Sequence, residues 1–284
     1  MSAPRTVGVL GGGRMGSGIA HAFLLAGSSV VVVERDAAAA EDATVRIRRD
    51  ITRSLERGAT VLTADELVDA LSTGTDAAAF ADCALVVEAV PEDAELKRQA
   101  LERVERATPD STVLASNTSS IPIDELAAPL RRPGRFVGLH FFNPVPASAL
   151  VEIVRGRASD DEVVDAARGW VDALGKTPIV VRDSPGFASS RLGVALGLEA
   201  IRMLEEGIAT AEDIDAAMTL GYRHPIGPLR TTDLVGLDVR LGIAEELHAR
   251  LGERFAPPEL LRRMVAEGRL GRKTGEGFYR WENG

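Results

Sequence analysis

Residues 6–16 read TVGVLGGGRMG, and the fold turns on how this stretch is read. TVGVL has the length and composition of a short strand covered on both faces. Gly11, Gly13 and Gly16 follow at once in the spacing GxGxxG, and an apolar helical period runs from Arg14 to Ala26. The spacing alone is a weak signal. Between a strand and a helix it is a dinucleotide-binding fingerprint. Gly11 is expected to make the tight turn, Gly13 to let a pyrophosphate approach the backbone, and Gly16 to let the helix pack closely on the strand. Arg14 and Met15 lie inside the loop and are assigned to the same cofactor contact. The unpaired amides and the dipole at the helix start favour the anion. The next strand candidate, SSVVVVE, ends at Glu34. An acid about twenty residues beyond the loop hydrogen-bonds the adenosine ribose. A carboxylate there repels a 2′-phosphate, so NAD is expected rather than NADP. Arg35 reads as a solvated surface charge.

Working outward, helices and apolar strands alternate. A long polar helix spans about 36–57, and TADELVDAL reads as a helix opened by a Thr63/Glu66 capping box. CALVVEAV is a strand, 94–107 an amphipathic helix, STVLASN a strand, IPIDELAAPL a short helix and RFVGLH a strand. Continuous β-branched strands between helices imply a parallel sheet covered on both faces. LVEIV and TPIVV are two further strands, flanking a helix that starts at a Ser159/Glu162 capping box. After DSPGF at 183–187 the pattern becomes helical, with segments near 187–207, 211–220, 228–251 and 257–268. The expected fold class is α/β. A Rossmann-like NAD-binding domain over 1–183 is followed by an all-helical domain over 184–284.

The 284 residues are 45% hydrophobic, enough for a sizeable core. A net charge of −9 argues against a nucleic-acid partner. The single cysteine, Cys83, sits in an apolar run, so no internal disulfide is expected. No Cys/His cluster suggests a metal. The amino terminus lacks a signal-like apolar region, and no apolar stretch reaches bilayer length. A soluble cytoplasmic protein without a membrane partner is expected.

The chemistry lies in FVGLHFFNPVP, residues 136–146. His140 stands at the carboxyl end of a strand, where open α/β sheets bind ligands. Taken alone, a histidine in an apolar run is usually a core residue. Glu152, twelve residues on, interrupts LVEIV in the same way. A buried carboxylate needs a partner, and a His–Glu pair fixes the imidazole tautomer. Hydride transfer from an alcohol to NAD requires such a base together with donors for the oxygen. SNTSS at 116–120 places hydroxyl and amide groups at the end of another strand. His21 and His248 read as helix-surface or packing residues.

These stretches resemble the L-3-hydroxyacyl-CoA dehydrogenases, and among them the short 3-hydroxybutyryl-CoA dehydrogenases. The resemblance runs in family order through GGGRMGSGIA, ASNTSS, GLHFFNPVP, LVEIV, SPGF, EDIDAAM, HPIGPLRTTDLVGLD and LGRKTGEGFY. It implies that His140 is the catalytic acid/base, Glu152 its partner carboxylate, and Ser119 the group that binds the substrate oxygen beside the cofactor. It implies that Asn143 orients the substrate, that Lys97 lies near cofactor and CoA, and that Glu92 and Lys273 are on the cofactor side. The family usually reads PGFxxNR where this chain has PGFASSR, so Ser190 replaces a substrate-binding Asn. For the acyl-CoA, Ser54 is expected on a basic helix face with Arg46, Arg49, Arg53 and Arg57, although the lysine expected soon after Ser54 is missing. The resemblance also implies that the helical domain serves substrate binding and dimerisation, and that the assembly is a homodimer. Two other readings stay open: a dehydrogenase for hydroxyacyl groups on an acyl carrier protein, and a non-catalytic dinucleotide-binding or structural protein. A structural protein has no need to keep Ser119, His140 and Glu152 together.

Overall fold

The computed structural model describes residues 2–282, and the chain divides into two compact units after Ser184. The first unit contains β1 (Thr6–Leu10), α1 (Arg14–Leu25), β2 (Ser29–Val33), α2 (Ala37–Glu56), α3 (Ala64–Asp69), β3 (Leu71–Gly74) and β4 (Leu85–Glu88). It continues through α4 (Ala94–Ala107), β5 (Val113–Ser116), α5 (Ile123–Ala127), β6 (Phe136–Phe141), β7 (Leu150–Arg155), α6 (Asp161–Ala173) and β8 (Thr177–Arg182). The strands form one sheet in the order β3-β2-β1-β4-β5-β6-β7-β8. The order reverses between β1 and β4, which opens a crevice at the carboxyl edge of the sheet.

The sheet departs from the expected parallel arrangement at one pair, because β6 and β7 are antiparallel. Only residues 142–149 join them, whereas a parallel return needs a crossover of about a dozen residues or more. The antiparallel register sets His140 directly opposite Glu152. Opposed residues point to the same face of a sheet. The edge strand β3 was not foreseen. Its sequence, LSTG, has no apolar run, and its pairing comes from parallel alignment with β2 rather than from side-chain pattern.

Helix starts follow their side chains. Asp36 accepts from the Ala39 N–H to begin α2, and Asp93 accepts from the Leu96 N–H to begin α4, each at 2.8 Å. The Thr63/Glu66 capping box forms. The box expected at Ser159/Glu162 does not. The Ser159 hydroxyl instead donates to the Phe136 carbonyl at 2.6 Å and accepts from the Gly156 N–H at 3.1 Å, tying the start of β6 to the end of β7. The core of this unit joins the sheet to the apolar faces of α1, α2 and α6, including Ile19, Phe23, Ile47, Ile51, Val163 and Val171.

The second unit is helical: α7 (Ser189–Glu205), α8 (Ala211–Ala216), α9 (Pro228–Val235), α10 (Leu237–Leu251) and α11 (Glu259–Ala266). The segment expected as one helix over 228–251 breaks at Gly236, whose φ of 104° no helical residue adopts. Asp215 accepts the Leu229 and Arg230 N–H groups at the start of α9. Asp233 accepts from the Phe278 and Tyr279 N–H groups and from the Trp281 indole, which fastens the closing stretch to α9. Val194, Leu198, Ile201, Leu229, Leu247 and Leu261 belong to a separate core. Among the described residues no helix is long and apolar enough to cross a membrane.

Candidate active site

The first part of the site is the crevice between β1 and β4. A cavity of about 750 Å³ opens there, walled by the glycine loop, by Glu34 and Arg35 after β2, by Ala89–Pro91 after β4, and by one face of α4. The three glycines of the loop differ in their surroundings. Gly11 has φ 93° and makes the turn. A Cβ on Gly16 would lie 1.7 Å from the Gly11 carbonyl oxygen, so helix and loop can be this close only without a side chain. A Cβ on Gly13 would meet nothing within 4 Å. The loop is therefore open at Gly13, where a pyrophosphate would have room to approach the backbone. The Glu34 carboxylate accepts from the Gly12 N–H at 2.6 Å and lines the cavity beside the loop. This is a fitting cradle for NAD: amides for the pyrophosphate, a carboxylate for the ribose hydroxyls, and apolar walls. Arg35 also lines the cavity, but its side chain is 82% exposed and ion-paired with Asp36.

The second part lies at the carboxyl ends of β4 and β5. Glu88 is buried, and its carboxylate accepts from the Lys97 ammonium at 2.8 Å, the Ser116 hydroxyl at 2.5 Å and the Val90 N–H at 2.7 Å. Burial pushes the Glu88 carboxyl up, and Lys97, Ser116 and Val90 pull the other way without cancelling it. Lys97 also donates to the Val90 carbonyl and pairs with Glu92 at 3.2 Å. It is buried, with its ammonium hydrogen-bonded to Glu88 and to the Val90 carbonyl and ion-paired with Glu92. Glu92 in turn accepts from the Ser119 and Ser120 N–H groups and from the Thr118 hydroxyl. Burial works against ionisation of Glu92, but Lys97, Thr118 and Ser119 outweigh it and hold the carboxyl below the usual range. Lys97 thus contacts Glu92, which binds the loop that carries Ser119.

The third part is the pair on β6 and β7. His140 Nδ1 lies 2.7 Å from Glu152 Oε2, and both side chains are buried. The Phe142 ring packs on the imidazole at 4.5 Å between centroids. Asn117 accepts from the Phe141 N–H at 2.8 Å, linking the end of β5 to the end of β6. Asn143 is exposed in the following loop, and the Lys176 ammonium anchors that loop through the Val145 and Ser148 carbonyls. Because β4, β5 and β6 run parallel, Glu92, Ser119 and His140 all belong to the carboxyl edge of the sheet.

Other expected residues lie elsewhere. The Ser54 side chain is buried and turned to His21 Nε2 at 3.1 Å, so it does not present itself on a basic surface. His21 is likewise fully buried, and its Nδ1 has no partner among the described residues. The expected arginine face is broken up. Arg46 turns inward to the Gly12 carbonyl, and Arg49 and Arg53 both pair with Asp50. Ser190, in the first turn of α7, and Lys273, paired with Asp238 at 2.5 Å, belong to the second unit. Glu88 went unremarked in the sequence, although it interrupts CALVVEAV just as Glu152 interrupts LVEIV.

Comparison with known proteins agrees with this geometry. Residues 6–184 match the 3-hydroxyacyl-CoA dehydrogenase NAD binding domain, and residues 186–281 match the 3-hydroxyacyl-CoA dehydrogenase C-terminal domain. The chain is 43% identical to a 3-hydroxybutyryl-CoA dehydrogenase of Mycobacterium tuberculosis, covering 98% of each. It is 40% identical to the mitochondrial hydroxyacyl-coenzyme A dehydrogenase of Rattus norvegicus, over 97% of this chain and 91% of that one. The crystal structure of an (S)-3-hydroxybutyryl-CoA dehydrogenase from Ralstonia eutropha superposes with a TM-score of 0.93 at 38% identity, over 99% of this chain and 100% of the other. With a dinucleotide cradle, a buried His–Glu pair and both domains matched from end to end, the chain belongs to the 3-hydroxyacyl-CoA dehydrogenase family and is an NAD-dependent oxidoreductase.

Proposed function

We propose that this protein interconverts a short (S)-3-hydroxyacyl-CoA and its 3-oxoacyl-CoA, with 3-hydroxybutyryl-CoA and acetoacetyl-CoA as the reference pair. The observation that carries the reading is the buried contact between His140 and Glu152. Glu152 holds Nδ1, which assigns proton exchange to Nε2 and fixes the ring's orientation. Nε2 takes the 3-hydroxyl proton in oxidation and returns it in reduction. The imidazolium formed on the way is stabilised by the carboxylate opposite. The bound cofactor supplies the hydride acceptor. Ser119, held by Glu92, donates to the substrate oxygen, and Asn143 orients the acyl group. Ser190 and Lys273 are assigned by sequence position alone, Ser190 to the thioester or 3-oxygen of the substrate and Lys273 to the cofactor side. The working form is a homodimer in the cytoplasm.

Steady-state oxidation of NADH with acetoacetyl-CoA tests this reading. Efficient turnover is expected with acetoacetyl-CoA, together with a clear loss on the pantetheine thioester that lacks the nucleotide. Absence of turnover would refute the substrate, and equal rates on the two thioesters would favour a carrier-bound acyl group. NADH should be strongly preferred to NADPH because of Glu34. Equal specificity constants would remove Glu34 from that role.

A further inference from the structure

The helix α2 carries an arginine that the reaction does not use and that the sequence placed on an acyl-CoA surface. Arg46 is half-buried and points back across the fold. Its Nη1 donates to the Gly12 carbonyl oxygen at 2.5 Å and lies 3.3 Å from the Ser17 hydroxyl. The Ser17 hydroxyl donates to the same carbonyl at 2.6 Å. On the other side of that residue, the Gly12 N–H is taken by Glu34 at 2.6 Å. Both backbone polar groups of Gly12 are thus held by side chains.

The contact is built into the packing. Ala43 and Ile47 are fully buried, and Arg46 stands one turn along from Ala43 on the same side of α2. A Cβ on Gly12 would lie 2.4 Å from the Ala43 Cβ, so α2 presses directly on the loop. A carbonyl that pointed into an anion site would repel the anion. Here the Gly12 carbonyl is bound by a guanidinium, and the loop is open at Gly13.

We propose that Arg46 is a positioning residue for the cofactor: it fixes the Gly12 carbonyl so that the amides from Gly13 onward face the pyrophosphate. It adds a positive charge beneath the loop. The inference rests on NAD as the cofactor but not on the identity of the acyl substrate.

Binding measurements test it without turnover. ADP-ribose carries the pyrophosphate, while AMP carries the adenosine with a single phosphate. Arg46→Met is expected to weaken ADP-ribose and NADH binding about tenfold by calorimetry, with AMP affinity changed less than about twofold and the KM for acetoacetyl-CoA unchanged. Arg46→Lys, which keeps a charged donor, is expected to recover most of the loss. Unchanged ADP-ribose affinity in Arg46→Met would overturn the proposal. So would equal loss of AMP and ADP-ribose, which signals general loosening of the cavity. A raised KM for acetoacetyl-CoA with unchanged NADH binding would return Arg46 to the acyl-CoA surface. If Arg46→Met does not fold, Arg46→Gln is read with the same two ligands and the same criteria.

Discussion

At the residue scale, the informative signal is a polar side chain where the pattern calls for an apolar one. His140 and Glu152 announce each other in the sequence because neither fits its strand alone, and the register joins them. Glu88 carries the same signal and was legible by the same argument. The sequence left His21 open between helix surface and packing, because a helix with glycine and alanine on several faces gives no clear direction to its buried side, and the structure buries it. Its burial has a consequence for stability. The imidazole is held below its ordinary value of 6.5, chiefly by loss of hydration, with Asp50 acting the other way and losing. The unfolded chain therefore binds the proton first as pH falls, and folding loses free energy by linkage. Stability from this residue is complete above 6.5 and is lost as pH falls from there toward the depressed folded value. The melting temperature should drop between about pH 7.5 and about pH 5.5, and the drop should be smaller in His21→Gln, which keeps a partner for Ser54. An identical drop in the variant would show that other groups carry the pH dependence.

At the element scale, most helices and strands follow from periodicity and caps, and the exceptions are cases where tertiary geometry decides. The reversal of β7 depends on the length of the connection rather than on its residues. The failed cap at Ser159 reflects competition, since its hydroxyl is taken by the Phe136 carbonyl. The break at Gly236 depends on a positive φ that no periodicity reveals. The glycine loop allows a sharper test, because its glycines serve different purposes. Gly13→Ala has room within the chain, so it should keep the wild-type melting temperature while NADH binding weakens about tenfold, or ~1.4 kcal/mol. Gly16→Ala would drive a methyl group into a backbone oxygen. It should destabilise the protein by about 1–3 kcal/mol or more, the usual range for overpacking. Chemical denaturation and NADH titration of both variants would separate the two roles, and similar behaviour of the pair would contradict the division.

At the scale of the whole molecule, two units with separate cores follow each other along the chain, divided after Ser184. The helical unit leaves large apolar side chains in solvent, among them Leu192 at 70%, Leu220 at 82% and Tyr222 at 76% exposed. Such exposure is expected where a partner will cover it, so light scattering at micromolar concentration should return the mass of a dimer, and a monomer would count against a homodimer. The central claim is that His140, held by Glu152, moves the substrate proton. Its most direct test is turnover of His140→Ala with NADH and acetoacetyl-CoA, measured beside NADH affinity by fluorescence titration. The account predicts turnover lowered by about 10²–10⁴-fold, the usual contribution of a general acid/base, with NADH affinity within about twofold of wild type. Turnover close to wild type would contradict it.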